Sequence, residues 1–224
     1  MDGRERQPGH NQIARVMNAY GLNAVVRRKR KYCASVDKRN AIDSSLLKNE
    51  LSRSFEQAIP GTHVVSDVTY IKTVDGWLYV SSVLDLCTRE ILACEMSTTQ
   101  DLDLGIKTLK SLSGKVASDC LLHTDRGVIY THMTFRDQAN KLEIRQSYSR
   151  KGNCWDNAVM EGWNAILKTE YLYHPDNKKK NCKLPTPEEV KKEVEEYIFY
   201  YNNFRIQKKL GYRTPVQYRK SITQ

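Results

Sequence analysis

Three carboxylates have the type and spacing to do chemistry together. Asp67 lies in the strand-like run His63-Val64-Val65-Ser66-Asp67-Val68-Thr69-Tyr70-Ile71, Asp125 closes the apolar run Cys120-Leu121-Leu122-His123-Thr124, and Glu161 falls inside a helical pattern. Between the first two stand 57 residues, and between the last two 35. Carboxylate oxygens are the hard donors that divalent cations such as Mg²⁺ prefer. Three of them brought to one point suit metal-assisted phosphoryl transfer on nucleic acid. An aspartate in the middle of a strand is costly, because desolvation and strand preference both oppose it, so a cation is expected beside Asp67. Asp125 precedes Arg126-Gly127, a turn signal, and by itself reads equally well as a turn residue. His123 reads as a hydrogen-bonded core histidine rather than a ligand.

The elements that must position these residues follow from periodicity. His63–Ile71, Trp77–Asp85 and Glu90–Met96 are β-branched or aromatic runs, and Asp75-Gly76 marks a tight hairpin between the first two. Leu102, Leu104, Ile106, Leu109 and Leu112 give Asp101–Leu112 a helical pattern. Cys120–Thr124 reads as a short strand, Thr131–Asn140 as a helix, Glu143–Gln146 as a further strand, and a helix begins near Trp155. The order βββαβαβα predicts a mixed sheet with helices packed on it. On a helical wheel Asn157, Asn164 and Lys168 share the stripe of Glu161, while Val159, Trp163 and Ile166 face the other way. Lys168 is thereby placed to bring a cation, and a phosphate, beside the carboxylates. Trp155 reads as a structural residue at the start of a buried helix, with base stacking the alternative.

Before and after this block lie simpler segments. Ile13, Val16, Met17 and Tyr20 define one short amphipathic helix that Gly21 stops, and it cannot bury its apolar stripe alone. Arg27-Arg28-Lys29-Arg30-Lys31 is a phosphate-contacting basic run that opens a polar linker reaching about Pro60. Near the end, Pro187–Asn203 is a helix capped by Thr186, and Lys178-Lys179-Lys180-Asn181 before it is a surface loop. There is no internal repeat.

The formal net charge is +10, unevenly placed. Residues 1–62 carry 12 basic and 6 acidic side chains, residues 63–128 carry 6 and 9, and residues 129–224 carry 18 and 11. An acidic centre flanked by basic segments suits a polyanion held from both sides while cations are bound between them. The six cysteines lack zinc-knuckle spacing and read as reduced, buried thiols. The polar start is unlike a signal peptide and no run approaches the ~20 apolar residues of a membrane span. The expected location is the cytoplasm.

Ser66-Asp67-Val68-Thr69-Tyr70-Ile71, His123-Thr124-Asp125-Arg126-Gly127, Ser149-Arg150-Lys151-Gly152-Asn153-Cys154-Trp155-Asp156-Asn157-Ala158 and the following Glu161 together resemble the catalytic core of the retroviral-integrase-like DDE transposases of bacterial insertion sequences. More narrowly, they are similar to the second-frame protein of elements with two overlapping reading frames. Lys168 matches the basic residue that family carries seven positions after its glutamate. Tyr201-Asn202-Asn203-Phe204-Arg205 and Leu210-Gly211-Tyr212-Arg213-Thr214-Pro215 resemble its C-terminal signature. The resemblance covers roughly residues 49–220. It departs at Val64, where the family often has tryptophan, and at Gln207, where it often has histidine.

The resemblance implies an α/β, RNase H-like fold: a mixed five-stranded sheet flanked by helices, with a short helical N-terminal appendage and a helical C-terminal extension. Its implied divisions are 1–32, the remnant of a helix-turn-helix DNA-binding region; 33–60, a linker; 61–175, the catalytic core; and 176–224, the extension. Asp67, Asp125 and Glu161 are the implied catalytic residues and the ligands of two Mg²⁺ or Mn²⁺ ions. Lys168, Arg126, Arg150 and Lys151 are candidate contacts to the DNA backbone, and Asn157 is a supporting or DNA-contacting residue. The implied partners are double-stranded DNA, as element ends and target, and further copies of the chain on that DNA. Two other readings stay open: an RNase H-like nuclease without strand transfer, and a non-catalytic DNA-binding regulator of transposition.

Overall fold

The structure, a computed structural model, describes residues 9–22, 47–172 and 184–223. The basic run at 27–31, the first part of the expected linker and the lysine loop at 178–181 lie outside the described residues. The chain divides into two compact units, residues 1–32 and 33–224.

In the first unit, α1 (His10–Ala19) ends where Gly21 takes a positive φ of 67°. The N–H of Leu22 then reaches back to the carbonyl of Met17, satisfying an orphan acceptor of the last turn. None of the α1 residues is buried, so its apolar stripe of Ile13, Val16 and Met17 stays exposed, as a lone amphipathic helix must.

The second unit is built on five strands: β1 (His63–Thr73), β2 (Gly76–Asp85), β3 (Ile91–Ser97), β4 (Leu121–Thr124) and β5 (Arg145–Tyr148), in the spatial order β3-β2-β1-β4-β5. The first three form an antiparallel meander, whose first turn is closed by the Thr73–Gly76 pair with Gly76 at φ 125°. β4 and β5 add in parallel on the other side of β1, so β1 is the central strand. The fifth strand begins two residues later than its sequence pattern predicts. The Glu143 backbone is in the left-handed region at φ 56°, and Ile144 is buried in the approach to the strand.

Helices cover both faces. Val64, Leu122 and Val83 meet α2 (Leu102–Lys110), α3 (Val128–Thr131) and α4 (Met133–Lys141) through Leu109, Ile129, Phe135 and Ala139. The single helix expected over Thr131–Asn140 is thus two, broken at His132, whose extended backbone lets its imidazole cap Thr134. Gly105 makes the close approach of α2 possible, because a Cβ there would collide with the Ile129 side chain. On the opposite face Val65, Ile71, Leu78 and Val80 meet α5 (Ala158–Ile166) and α6 (Pro187–Asn203) through Met160, Trp163, Val190, Val194, Tyr197 and Tyr201. Trp163 contacts Tyr197 and Tyr201 with ring centroids 6.0 and 4.6 Å away. The Thr186 capping box sets the start of α6, as Thr186 and Glu189 satisfy each other's N–H groups.

Two further segments complete this unit. Residues 47–60, assigned by sequence to the linker, include Leu47 and Leu51, both buried in the core. After α6 the chain adds α7 (Pro215–Ile222), with its own capping box at Thr214 and Gln217. Cys87 and Cys120 are buried as expected, but Cys154 is exposed, because it opens a surface turn rather than a buried helix. Among the described residues no helix is long and apolar enough to cross a membrane.

Candidate active site

Strands β1 and β4 pair only from His63↔Leu121 to Val65↔His123. Beyond that point they part, with Asp67 on β1 and Asp125 one residue past the end of β4. This is the crevice at the carboxyl ends of parallel strands where open α/β sheets place ligands. The resulting cleft has a volume of about 440 Å³ and is lined by Asp67, Asp125, Gln100, Asp101, Tyr130 and His132 among others.

Alternation along β1 decides which helices Asp67 meets. Val65 and Ile71 belong to the layer of Trp163, so Asp67, in phase with them, projects toward α5. There Asn164 Nδ2 donates to Asp67 Oδ2 at 2.8 Å. One residue back on β1, Asn157 Nδ2 donates to the carbonyl of Ser66 at 3.1 Å. Two asparagine amides thus stitch the Glu161-bearing segment to the central strand β1. The wheel placed both on the Glu161 stripe, but only the packing of α5 on β1 gives them partners. Asn157, offered as a supporting or DNA-contacting residue, is buried and engaged with the backbone of β1. The stripe is not one continuous α-helix either. A 3₁₀ turn, Cys154–Asn157, precedes α5, and a π-helical segment, Leu167–Leu172, follows it.

The electrostatics of the cleft are those of a place short of positive charge. The Asp67 carboxyl is pushed up to about 7, first by burial and next by the negative charge of Asp125. Glu161 adds to the shift, while the Val68 N–H and the charge of Lys168 oppose it. Lys168 is a weak counter-charge to Asp67, and its Nζ lies 5.1 Å from the centroid of the Tyr70 ring. Asp125 is also raised, by the dehydrating walls around it, against a hydrogen bond of 2.8 Å from the Gly127 N–H. Gly127 stands so close that a Cβ would come within 2.9 Å of Asp125 Oδ1. Behind the pair, the Ser66 and Tyr130 hydroxyls are 3.1 Å apart.

Hard oxygen donors with uncompensated charge at one cleft fit a divalent cation. Asp67 and Asp125 meet that description directly. Glu161 is exposed on α5 and acts on Asp67 through its charge. Among the described residues no three His, Cys, Asp or Glu side chains are gathered closely enough to hold a metal ion. Asp67 and Asp125 thus line one cleft, and the charge of Glu161 reaches Asp67.

Next to the cleft sits a second polar centre that sequence reading passed over. Asp156 has a side chain with no exposed surface. It accepts from Asn49 Nδ2 at 2.9 Å, from Arg53 Nε at 2.7 Å, and from the backbone N–H and guanidinium of Arg150 at 2.9 Å. These donors hold its carboxyl well below the usual carboxylate range. The network ties the strap at residues 47–55 to the turn that leads into α5. Arg53 reaches it from a left-handed backbone conformation, φ 63°. The strap is further fixed by Ser147 Oγ, which accepts the N–H groups of Glu50 and Leu51. With both acceptor positions used, the Ser147 hydroxyl donates to His123 Nδ1 at 2.8 Å, leaving Nε2–H of a neutral imidazole to Ser149 Oγ at 3.1 Å. Burial lowers His123 to about 4, which agrees with a neutral core histidine.

Of the basic residues chosen by sequence, Arg150 is thus paired with Asp156, and Arg126 donates to the carbonyls of Ser149 and Leu47. Lys151 is exposed on the surface turn. Trp155 is 70 % exposed, which overturns its assignment as a buried structural residue; the 3₁₀ turn rotates it outward while Asp156 and Asn157 turn in.

Models of the integrase core domain match residues 57–154 and 142–215. InsK of Escherichia coli, named as a transposase of the insertion sequence element IS150, is 32% identical over 218 residues, which are 96% of this chain and 72% of that relative. The chain belongs to the insertion-sequence transposases with an integrase core. Its fold is that of retroviral integrase catalytic cores, which are RNase H-like. A chain of the simian T-cell lymphotropic virus intasome superposes with a TM-score of 0.62 at 18% identity, covering 72% of this chain and 55% of that one. The catalytic core domain of HTLV-2 integrase, solved in complex with magnesium, gives 0.53 at 16%, covering 71% of this chain and 96% of that one. Membership of this family places the transposase in DNA transposition.

Proposed function

We propose that this transposase cleaves the ends of an insertion sequence and joins them to target DNA, with Asp67, Asp125 and Glu161 as catalytic carboxylates holding two Mg²⁺ or Mn²⁺ ions. The observation that carries the reading is the meeting of Asp67 and Asp125 at one cleft where β1 and β4 part, with Glu161 acting on Asp67 from α5. Divalent ions bound there would supply charge to both the attacking and the leaving oxygen of an in-line displacement at phosphorus. The HTLV-2 integrase core, of the same fold, was solved with magnesium, which supports the choice of ion.

The chain's own residues supply position. Asp67 is fixed by Asn164, Asp125 by the Gly127 N–H, and the segment carrying Glu161 by Asn157 and the Asp156 network. Glu161 lies on the exposed surface of α5, from which its charge acts on Asp67. Lys168, on the same helical stretch and electrostatically coupled to Asp67, is suited to a phosphate of the scissile strand, and Lys151 to the backbone beside it. Arg126 and Arg150 act on DNA indirectly, by holding the 149–157 turn. With water as nucleophile the displacement is strand cleavage; with the liberated 3′-hydroxyl it is joining. Two element ends must meet during joining, so the functional form is a multimer on DNA, in line with the intasome whose chain shares the fold.

The test is a cleavage and strand-transfer assay with labelled element ends, Mg²⁺ or Mn²⁺, and Asp125→Asn as control. Metal-dependent cleavage and joining, both lost in the variant, support the reading. Cleavage without joining turns the chain into a nuclease, and binding without either reaction turns it into a regulator.

A further inference from the structure

The segment from Phe199 to Gln224 contains no aspartate or glutamate and carries Arg205, Lys208, Lys209, Arg213, Arg219 and Lys220. Half of these have structural employment. Arg205 pairs with Glu170 at 2.6 Å and Arg219 with Glu90 at 2.7 Å. Arg213 donates to the Leu210 carbonyl and to Ser221 Oγ, and its guanidinium lies 5.2 Å from the Tyr218 ring centroid. Lys208 and Lys209 are exposed, and among the described residues no carboxylate pairs with either.

The loop that bears these lysines is a built structure. Gln207 and Arg213 form an antiparallel bridge, and the N–H groups of Leu210 and Tyr212 both return to the Gln207 carbonyl at 3.0 Å. Leu210, buried, anchors the loop to the core. Gly211 takes φ 63° and Tyr212 takes φ 58°, a left-handed conformation that costs free energy in a non-glycine residue. That conformation leaves the Tyr212 ring 66 % exposed beside the two lysines. A few residues earlier, at the end of α6, Phe199, Tyr200 and Phe204 form a surface aromatic group. Phe204 has ring centroids 5.8 Å from Phe199 and 6.5 Å from Tyr200, and all three side chains are exposed. A ring held outward by a strained, well-bonded loop does not serve the core.

Exposed aromatic faces interleaved with unpaired lysines, in a stretch with no acidic residue, match one chemistry: bases stack on the rings while ammonium groups take the phosphates. A fully paired duplex offers no base face to such rings. We propose that the loop at 207–213, with the Phe199–Phe204 aromatic group, binds an unpaired stretch of DNA strand, Tyr212 stacking on a base and Lys208 and Lys209 holding the flanking phosphates. The choice of DNA as ligand rests on the transposase reading; the stacking itself does not. The surface would hold the frayed or displaced strand that end processing produces.

The experiment measures equilibrium binding of the full chain, in EDTA, to a mixed-sequence single strand of ~15 nucleotides and to the corresponding blunt duplex. Expected is a loss of single-strand affinity of about 5- to 100-fold for Tyr212→Ala and for Phe204→Ala, with duplex affinity changed less than about twofold. Lys208→Gln with Lys209→Gln makes the single-strand salt dependence shallower by about 1.4 in log–log slope. Tyr212→Trp retains affinity and shows quenched fluorescence on binding, which keeps the test sound should the alanine variant fold poorly. Unchanged single-strand affinity in Tyr212→Ala overturns the proposal. So does an equal loss on single strand and duplex, or a sedimentation result in which Phe204→Ser dissociates a dimer with DNA binding intact, marking the surface as a protein interface. Because EDTA removes metal-dependent chemistry, inactivity in the strand-transfer assay leaves this outcome readable, and loss of Tyr212 dependence leaves the catalytic reading standing.

Discussion

Asp156 and Asp67 are the same side chain in two opposite settings within one domain. Asp156 has no exposed surface, yet two guanidinium groups, an amide and a backbone N–H meet its oxygens, and its carboxyl is held far down. Asp67 receives one side-chain amide and faces the charge of Asp125 and Glu161, so its carboxyl is pushed up to about 7. Asp156 is fully buried and Asp67 half-buried, so burial alone would raise Asp156 the more; the supply of donors reverses that order. A carboxylate satisfied from within the chain is a rivet. One left short of positive charge is prepared for a ligand that brings it.

The strongest way to break this contrast is Asp125→Asn. It is expected to lower cleavage and joining by about 10³-fold or more, with a thermal midpoint unchanged or raised, since a desolvated charge is removed. A comparable loss of stability would make Asp125 structural. The mirror experiment is Asp156→Asn, which takes the shared partner from two half-exposed guanidinium groups and should cost about 1.5–3 kcal/mol in chemical denaturation. Its sign with pH follows from the lowered carboxyl. The stabilisation is fully present above the unfolded value of about 4 and is lost as pH falls through the folded value, so wild type and variant converge in acid. A difference that persists at low pH would show that packing, not charge, underlies the rivet.

Divalent ions sharpen the comparison from the ligand side. At a hundredfold excess over Kd, Mg²⁺ or Mn²⁺ should stabilise the wild type by about 2.7 kcal/mol and leave Asp67→Asn unmoved; an equal shift in both would place the ion elsewhere. The smallest expected effect belongs to Asn164→Ala. Losing its hydrogen bond to Asp67 costs about 1 kcal/mol of stability and lowers kcat with DNA affinity retained. A fall in affinity alone would make Asn164 a DNA contact rather than a positioning residue.

Much of this was legible in the chain. The three β-runs before residue 97, the Asp75-Gly76 turn and the Thr186 cap are local signals, and each element stands where its signal lies. The stripe that joined Asn157, Asn164 and Lys168 to Glu161 was legible too, because helical periodicity is local. The intrachain partners of the arginines were not. Arg126 and Arg150 look like DNA contacts by type, but their partners at Leu47, Ser149 and Asp156 are set by how the strap crosses the sheet. Trp155 departs from its expected buried place for a similar reason, since a 3₁₀ turn in place of the first α-helical turn rotates it out and Asp156 in. The hairpin loop at 207–213 escaped because its bridge joins residues without β-periodicity.

By itself, the sequence determined the order of the strands and of the main helices and the family to which its motifs point, and it singled out three candidate carboxylates, because hydrophobic period, turn residues and motif spacing are properties of neighbours. Tertiary structure alone decided that β1 and β4 part just before Asp67 and Asp125, that Asn164 meets Asp67 across 97 positions of chain, and which charges are satisfied. Those outcomes depend on distant segments competing for the same donors and the same space, and only the folded chain resolves that competition.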